Sequence, residues 1–207
     1  NSNKWSIKSV SFDNTFGYGK NNLIDFEKLN GIVGIFGNNR CGKSSIPGTI
    51  MYGLFNTTDR GSIKNEYIVN SRKGSCKAKI KFTASGKEYE IVRETIKKSN
   101  KNNKISTSTS LKLTNNAGEE LKDKTEEQRR ETEKVLRGII GAHEEFLCTT
   151  FASQGETNSF IKEKTTARKK ILSKFLNLDI YEELHKLSRD EYIIVKNKLK
   201  ELNEKQW

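Results

Sequence analysis

The sequence predicts an α/β fold of the P-loop NTPase kind, with a phosphate-binding loop, a β-rich antiparallel section and the start of a coiled coil. Three observations carry this. Gly37-Asn38-Asn39-Arg40-Cys41-Gly42-Lys43-Ser44-Ser45 fits the G-x-x-x-x-G-K-[ST] pattern of a phosphate-binding loop. Residues 76–113 contain three runs in which apolar and polar side chains alternate, the period of half-buried strands. Near the end, Tyr192, Val195, Leu199 and Leu202 recur at spacings of three and four, as a coiled-coil seam does.

Taken in order, residues 4–12 alternate apolar with polar and predict a first strand. Residues 13–22 are turn-rich, and Leu23-Ile24-Asp25-Phe26 predicts a second strand. The run Gly31-Ile32-Val33-Gly34-Ile35-Phe36 is expected to be a buried strand entering the phosphate loop, with a helix over 46–55 leaving it. Pro47 and Gly48 stand in the first turns of that helix, so a loosened second turn is expected. A polar loop over 56–65 leads to Glu66-Tyr67-Ile68-Val69-Asn70.

Strands are then predicted over 76–82, 89–96 and 107–113, joined by turns at Gly86-Lys87 and, after the third, at 115–118. Residues 97–104 form a basic tip expected to be mobile. Thr125 with Gln128 makes a capping box for a helix whose apolar stripe is Val135, Leu136, Ile139 and Ile140. Further helices are expected over 166–176 and from Ile180 almost to the end, separated by Asn177-Leu178-Asp179. This divides the chain into a head lobe, 1–176, and the base of a coiled-coil helix, 177–207. That last helix reads as cut in mid-element, and Met51 as the only methionine suggests a trimmed N-terminus.

Composition narrows the partners. A chain of 207 residues with a formal charge of +12 asks for an acidic partner, nucleic acid first and an anionic membrane surface second. A Lys- and Asn-rich composition by itself also raises the charge. Cys41, Cys76 and Cys148 show no C-x-x-C pairing, so neither zinc nor a disulfide framework is indicated, as suits a reducing cytoplasm. No apolar run approaches the roughly 20 residues that span a bilayer, and no signal peptide is visible.

The loop residues have definite chemistry. Gly37 and Gly42 let successive N–H groups approach phosphate oxygens at the positive end of the following helix. Lys43 can bridge the β- and γ-phosphates of ATP, and the Ser44 hydroxyl can complete the coordination of Mg²⁺. Asn38, Asn39, Arg40, Cys41 and Ser45 complete the expected contact set, with Arg40 and Cys41 standing where small residues are common. No apolar run ends in the acidic pair that a hydrolytic site requires, and no N-K-x-D is present. This stretch therefore holds a nucleotide site without its hydrolytic half.

Lys77, Lys79 and Lys81 share one face of a strand with about 7 Å between neighbours, a spacing that suits backbone phosphates of double-stranded DNA. Lys164, Arg168 and Lys169 offer a second basic surface. A solvated strand whose lysines discourage aggregation is the other reading of the first group.

These features together resemble the N-terminal half of an SMC-like ABC ATPase head, and most closely the SbcC-type double-strand-break repair ATPases, including phage recombination endonuclease subunits. The resemblance covers nearly the whole chain. It rests on the strand around Trp5 to Phe12, Leu23-Ile24-Asp25-Phe26, the phosphate loop, Phe151-Ala152-Ser153-Gln154-Gly155, the Ala167-Arg168-Lys169-Lys170-Ile171-Leu172 helix and Ile180-Tyr181-Glu182. It implies that Gln154 touches Mg²⁺ and the attacking water, and that Arg60 approaches nucleotide or DNA. It further implies a C-terminal half that completes the head, a homodimer closed on ATP and a metallophosphoesterase nuclease partner. The implied protein is an ATPase that binds DNA and gates that nuclease, inactive as this segment alone. A related SMC-like protein that tethers or loads on DNA without a nuclease is the alternative. The implied setting is the cytoplasm of a bacterium or phage-infected cell, the nucleoid, or the nucleus of a eukaryote, with no membrane.

Overall fold

The computed structural model describes residues 5–58, 63–99, 105–116, 119–122, 126–143, 146–147, 164–176 and 178–204. The chain divides into two compact units, 1–147 and 148–207, each taken by itself below.

The first unit is organised on a six-stranded antiparallel sheet of order β2-β1-β3-β4-β5-β6. Its strands are β1 (Trp5–Asp13), β2 (Asn22–Asp25), β3 (Ser75–Ala84), β4 (Lys87–Ser99), β5 (Ile105–Asn115) and β6 (Glu120–Lys122). Alternation sets the faces, since successive side chains on a strand point opposite ways. Val10, Phe12, Ala78, Ile80, Phe82 and Ile91 are buried on one side, while Lys77 and Lys81 are exposed on the other. Ser85 and Gly86, at φ +50° and +77°, form the two-residue turn that pairs Ala84 with Lys87 and fixes the β3–β4 register.

Helix α1 (Ser45–Phe55) packs against β3 and β4. Gly53 permits the close approach: a Cβ there would lie 2.5 Å from Ile80 Cδ1. The helix ends on Asn56, at φ +55°, whose N–H donates to the Tyr52 carbonyl. Arg93 of β4 is fully buried behind it. Its Nε donates to the Gly53 carbonyl at 3.2 Å, and a terminal nitrogen lies 3.5 Å from the Leu54 carbonyl. The guanidinium thus covers the negative end of the helix that starts at the phosphate loop. Its other terminal nitrogen meets Glu133 of α3 (Glu126–Ile140) at 2.9 Å. A buried hydroxyl chain adds to this frame: Tyr52 to Thr95 at 2.7 Å, and Thr95 to Thr109 at 2.8 Å. Asn65, at the start of α2 (Asn65–Ile68), donates to Thr109 at 2.8 Å.

Four expectations are corrected. The run 31–36 is not a strand and is exposed along its length, Phe36 to 94%. A strand needs a hydrogen-bonding neighbour, and none lies beside this run among the described residues. The second turn of α1 is not loosened, because Pro47 is the third helical residue, where no intrahelical acceptor awaits its N–H. The basic tip is shorter than expected: β4 continues through Lys97 to Ser99, paired with β5. In α3, Leu136 and Ile140 are buried as expected, but Val135 is 46% exposed and Thr132 takes the next inward position.

In the second unit, α4 (Thr165–Phe175) is followed by α5 (Asp179–Glu204). The latter has 26 residues, about 39 Å of helix at 1.5 Å per residue. Tyr192, Val195, Leu199 and Leu202 are exposed along it. No helix among the described residues is long and apolar enough to cross a membrane.

Candidate nucleotide-binding site

The phosphate loop connects the exposed run to α1. Gly42 has φ +94° and Arg40 φ +65°. The second value places a side chain in the left-handed region, at a cost on the order of 1 kcal/mol. Cys41 N–H closes the loop onto the Asn38 carbonyl at 3.4 Å. Ser45 and Ile46 donate to Gly42 and Lys43 at 2.9 and 3.3 Å, a tight turn that leads into the helix. Ser44 stands at the cap position and makes no side-chain cap bond.

Two features fit an anion. The backbone N–H groups of Asn39, Arg40, Gly42, Lys43 and Ser44 donate to no protein group among the described residues. Such a row of donors at a helix N-terminus is the arrangement that receives phosphate oxygens. The Lys43 ammonium lies over the same loop, donating to the Gly37 and Asn38 carbonyls at 2.6 and 2.7 Å. Its remaining donor lies 3.9 Å from the Cys41 Sγ, so all three are turned onto the loop at the mouth of the cradle. Beside Ser44 and Ser45 a cavity of about 220 Å³ is walled by Phe16, Gly48, Thr58, Ile63 and Tyr67.

The loop is also braced by residues the sequence did not single out. The Tyr18 hydroxyl donates to the Gly42 carbonyl at 3.1 Å, and its ring lies edge-on to Phe12. Burial, then the neighbouring Cys41, raises the Tyr18 hydroxyl above the usual phenol range, so it remains a donor at neutral pH. Asn70 donates to the Tyr18 carbonyl at 3.0 Å. Motif matching missed Tyr18 and Asn70 because neither belongs to the loop pattern.

Of the other expected residues, Arg60 and Gln154 lie outside the described residues. Lys77, Lys79 and Lys81 do share the outer face of β3, but carboxylates are interleaved with them. Lys79 and Lys81 meet Glu90 of β4 at 2.9 and 3.9 Å, and Lys77 stands opposite Glu94 in register. The counter-charge for this stripe is therefore partly supplied within the sheet. In the second unit, Lys164 and Lys169 are exposed and Arg168 is half-buried. No cluster of three or more His, Cys, Asp and Glu that could hold a metal occurs among the described residues.

Comparison with known proteins agrees with this geometry. Residues 9–206 match the AAA domain family. An uncharacterized protein of Acanthamoeba polyphaga mimivirus is 31% identical over 98% of this chain and 15% of its own length. The SbcC component of the nuclease SbcCD from Clostridium acetobutylicum is 31% identical over 76% of this chain and 14% of its own length. The probable exonuclease subunit 2 of Escherichia phage T5 is 27% identical over 96% of this chain and 30% of its own length. The chain thus spans under a third of each relative. With the phosphate loop and its helix in place, the chain belongs to the AAA domain family of P-loop ATPases, as an SMC-like head segment of the SbcC type.

Proposed function

We propose that this chain is the ATP-binding lobe of a DNA double-strand-break repair ATPase that closes as a dimer on ATP, binds DNA and gates a metallo-nuclease partner. The observation that carries the reading is the open row of loop N–H donors ending at Lys43 and Ser44. The triphosphate lies along that row. Lys43 would meet the β- and γ-phosphates and the Ser44 hydroxyl would hold Mg²⁺, which would supply charge neutralisation; Gln154 keeps the water-orienting role that the resemblance implies. The cavity beside Ser45 takes the sugar or base end, its Phe16, Ile63 and Tyr67 walls suiting a planar ring. Arg60 approaches nucleotide or DNA.

A C-terminal half supplies the acidic hydrolytic strand and covers the exposed run 32–36. The greater length of the relatives supports that half, and their names, a component of a nuclease and a probable exonuclease subunit, support the nuclease partner. This segment alone binds ATP and turns it over negligibly.

Alkylation at Cys41 tests the site. Cys41 is exposed in the loop, whereas Cys76 is buried, and burial pushes its thiol up to about 11. Cys41 is expected to alkylate first, and ATP with Mg²⁺ is expected to slow it severalfold, read by mass spectrometry. Equal rates with and without nucleotide would overturn the assignment.

The DNA role rests on phosphate contacts from Lys77, Lys79 and Lys81, with Lys164, Arg168 and Lys169 as a second surface. Phosphates at the first group must compete with Glu90. Glu90→Gln is therefore expected to tighten duplex binding by the ATP-bound full-length dimer. Converting the three lysines to Glu should weaken it, with about one unit less salt slope per lost contact. Unchanged affinity and slope in both variants would assign the stripe to solubility.

A further inference from the structure

We infer that Tyr18 is a positioning residue for the nucleotide: by holding the Gly42 carbonyl on one side of the loop, its hydroxyl aims the Lys43 N–H into the phosphate cradle. The inference rests on the nucleotide reading above and assigns a residue outside the loop that shares in setting its shape.

The argument begins with peptide planarity. In a trans peptide, the carbonyl of one residue and the N–H of the next point in opposite directions. Pinning the Gly42 carbonyl therefore fixes the direction of the Lys43 N–H. That N–H is among the unpartnered donors of the loop, and the carbonyl is the one Tyr18 holds at 3.1 Å. Gly42 sits at φ +94°, open to glycine, and its carbonyl also accepts from the Ser45 N–H at 2.9 Å, so the Tyr18 hydroxyl and the turn into α1 hold this peptide from two sides.

Tyr18 is itself held firmly. It lies in the connection between β1 and β2, where Asn14 N–H donates to Gly19 and Tyr18 N–H to Thr15, at 2.7 and 2.9 Å. Asn70 holds the Tyr18 carbonyl, and Phe12 packs edge-on to its ring at 5.2 Å between centroids. The ring in turn lies 3.3 Å from where a Gly42 Cβ would stand. Ring packing and the hydroxyl bond are separable: phenylalanine keeps the first and deletes the second.

The test is titration of the wild-type chain and its Tyr18→Phe variant with ATP–Mg²⁺ and with inorganic pyrophosphate, alongside thermal melting of both proteins. Loss of one pre-set donor is expected to weaken both ligands by the same factor, about five- to tenfold, with the melting temperature unchanged. ATP affinity in the variant identical to that of the wild type would overturn the positioning role and leave the nucleotide site standing. A weakened affinity accompanied by a lowered melting temperature would also overturn it, since the hydroxyl would then be supporting the fold. Failure of the wild-type chain to bind either ligand would overturn the nucleotide reading, and this inference with it.

Discussion

Lys43→Met is expected to reduce ATP affinity by about 100-fold while leaving the fold intact. The ammonium currently donates to the Gly37 and Asn38 carbonyls. Both belong to the loop itself, so the protein loses only local contacts when the side chain goes. In the bound state the same donors meet phosphate oxygens, where charge-assisted hydrogen bonds contribute about 1.5–3 kcal/mol each. Losing two such bonds, less the carbonyl bonds surrendered on binding, leaves a net deficit on the order of 3 kcal/mol. Calorimetric titration with ATP–Mg²⁺ reads this directly, and thermal melting of the free proteins serves as the control. Lys43→Arg should recover part of the affinity, because charge is kept while the compact ammonium is not. An affinity within threefold of wild type in Lys43→Met would remove the triphosphate from this loop.

The phosphate loop was legible in the sequence because its geometry is local. Two glycines, a lysine and a serine at fixed spacing mark the turn and the helix start within nine consecutive residues. Strands β3, β4 and β5 were legible for the same reason, through alternation over consecutive residues. The run 31–36 shows where local reading ends. Its composition suits a buried strand, but strand pairing is supplied by other parts of a chain, and no neighbour lies beside it among the described residues.

The pairing of Lys79 and Lys81 with Glu90 lay between these cases. The Ser85-Gly86 turn sets the register that puts Lys81 opposite Glu90, so the turn and the alternation together contained it. Tyr18 was illegible. Nothing in its neighbourhood in sequence marks its hydroxyl, which acts 24 residues away at Gly42.

Arg93→Met is expected to destabilise the first unit by about 3–5 kcal/mol, a large fraction of the roughly 5–15 kcal/mol that holds a typical domain folded. Arg93 was readable as an anomaly, since it stands on the inward face of β4 with Ile91 and Thr95. What it does there required the fold. It is fully buried and joins three elements: β4, the last carbonyls of α1 and Glu133 of α3. Removing the guanidinium leaves Glu133, whose side chain is only 21% exposed, without its inner partner, and leaves the Gly53 carbonyl unmet. Arg137, at 3.7 Å from the other Glu133 oxygen, is 63% exposed and compensates weakly. Urea denaturation of the single variant reads the total cost. The double variant Arg93→Met with Glu133→Leu separates its parts, because replacing both members of a buried pair with apolar groups is often near neutral. It should recover the share that came from the stranded carboxylate. The deficit that persists, about 1–2 kcal/mol, is what capping the α1 carbonyls contributes. A single-variant loss below about 1 kcal/mol would mean that water replaces the guanidinium, and that α1 is held at its far end by packing alone.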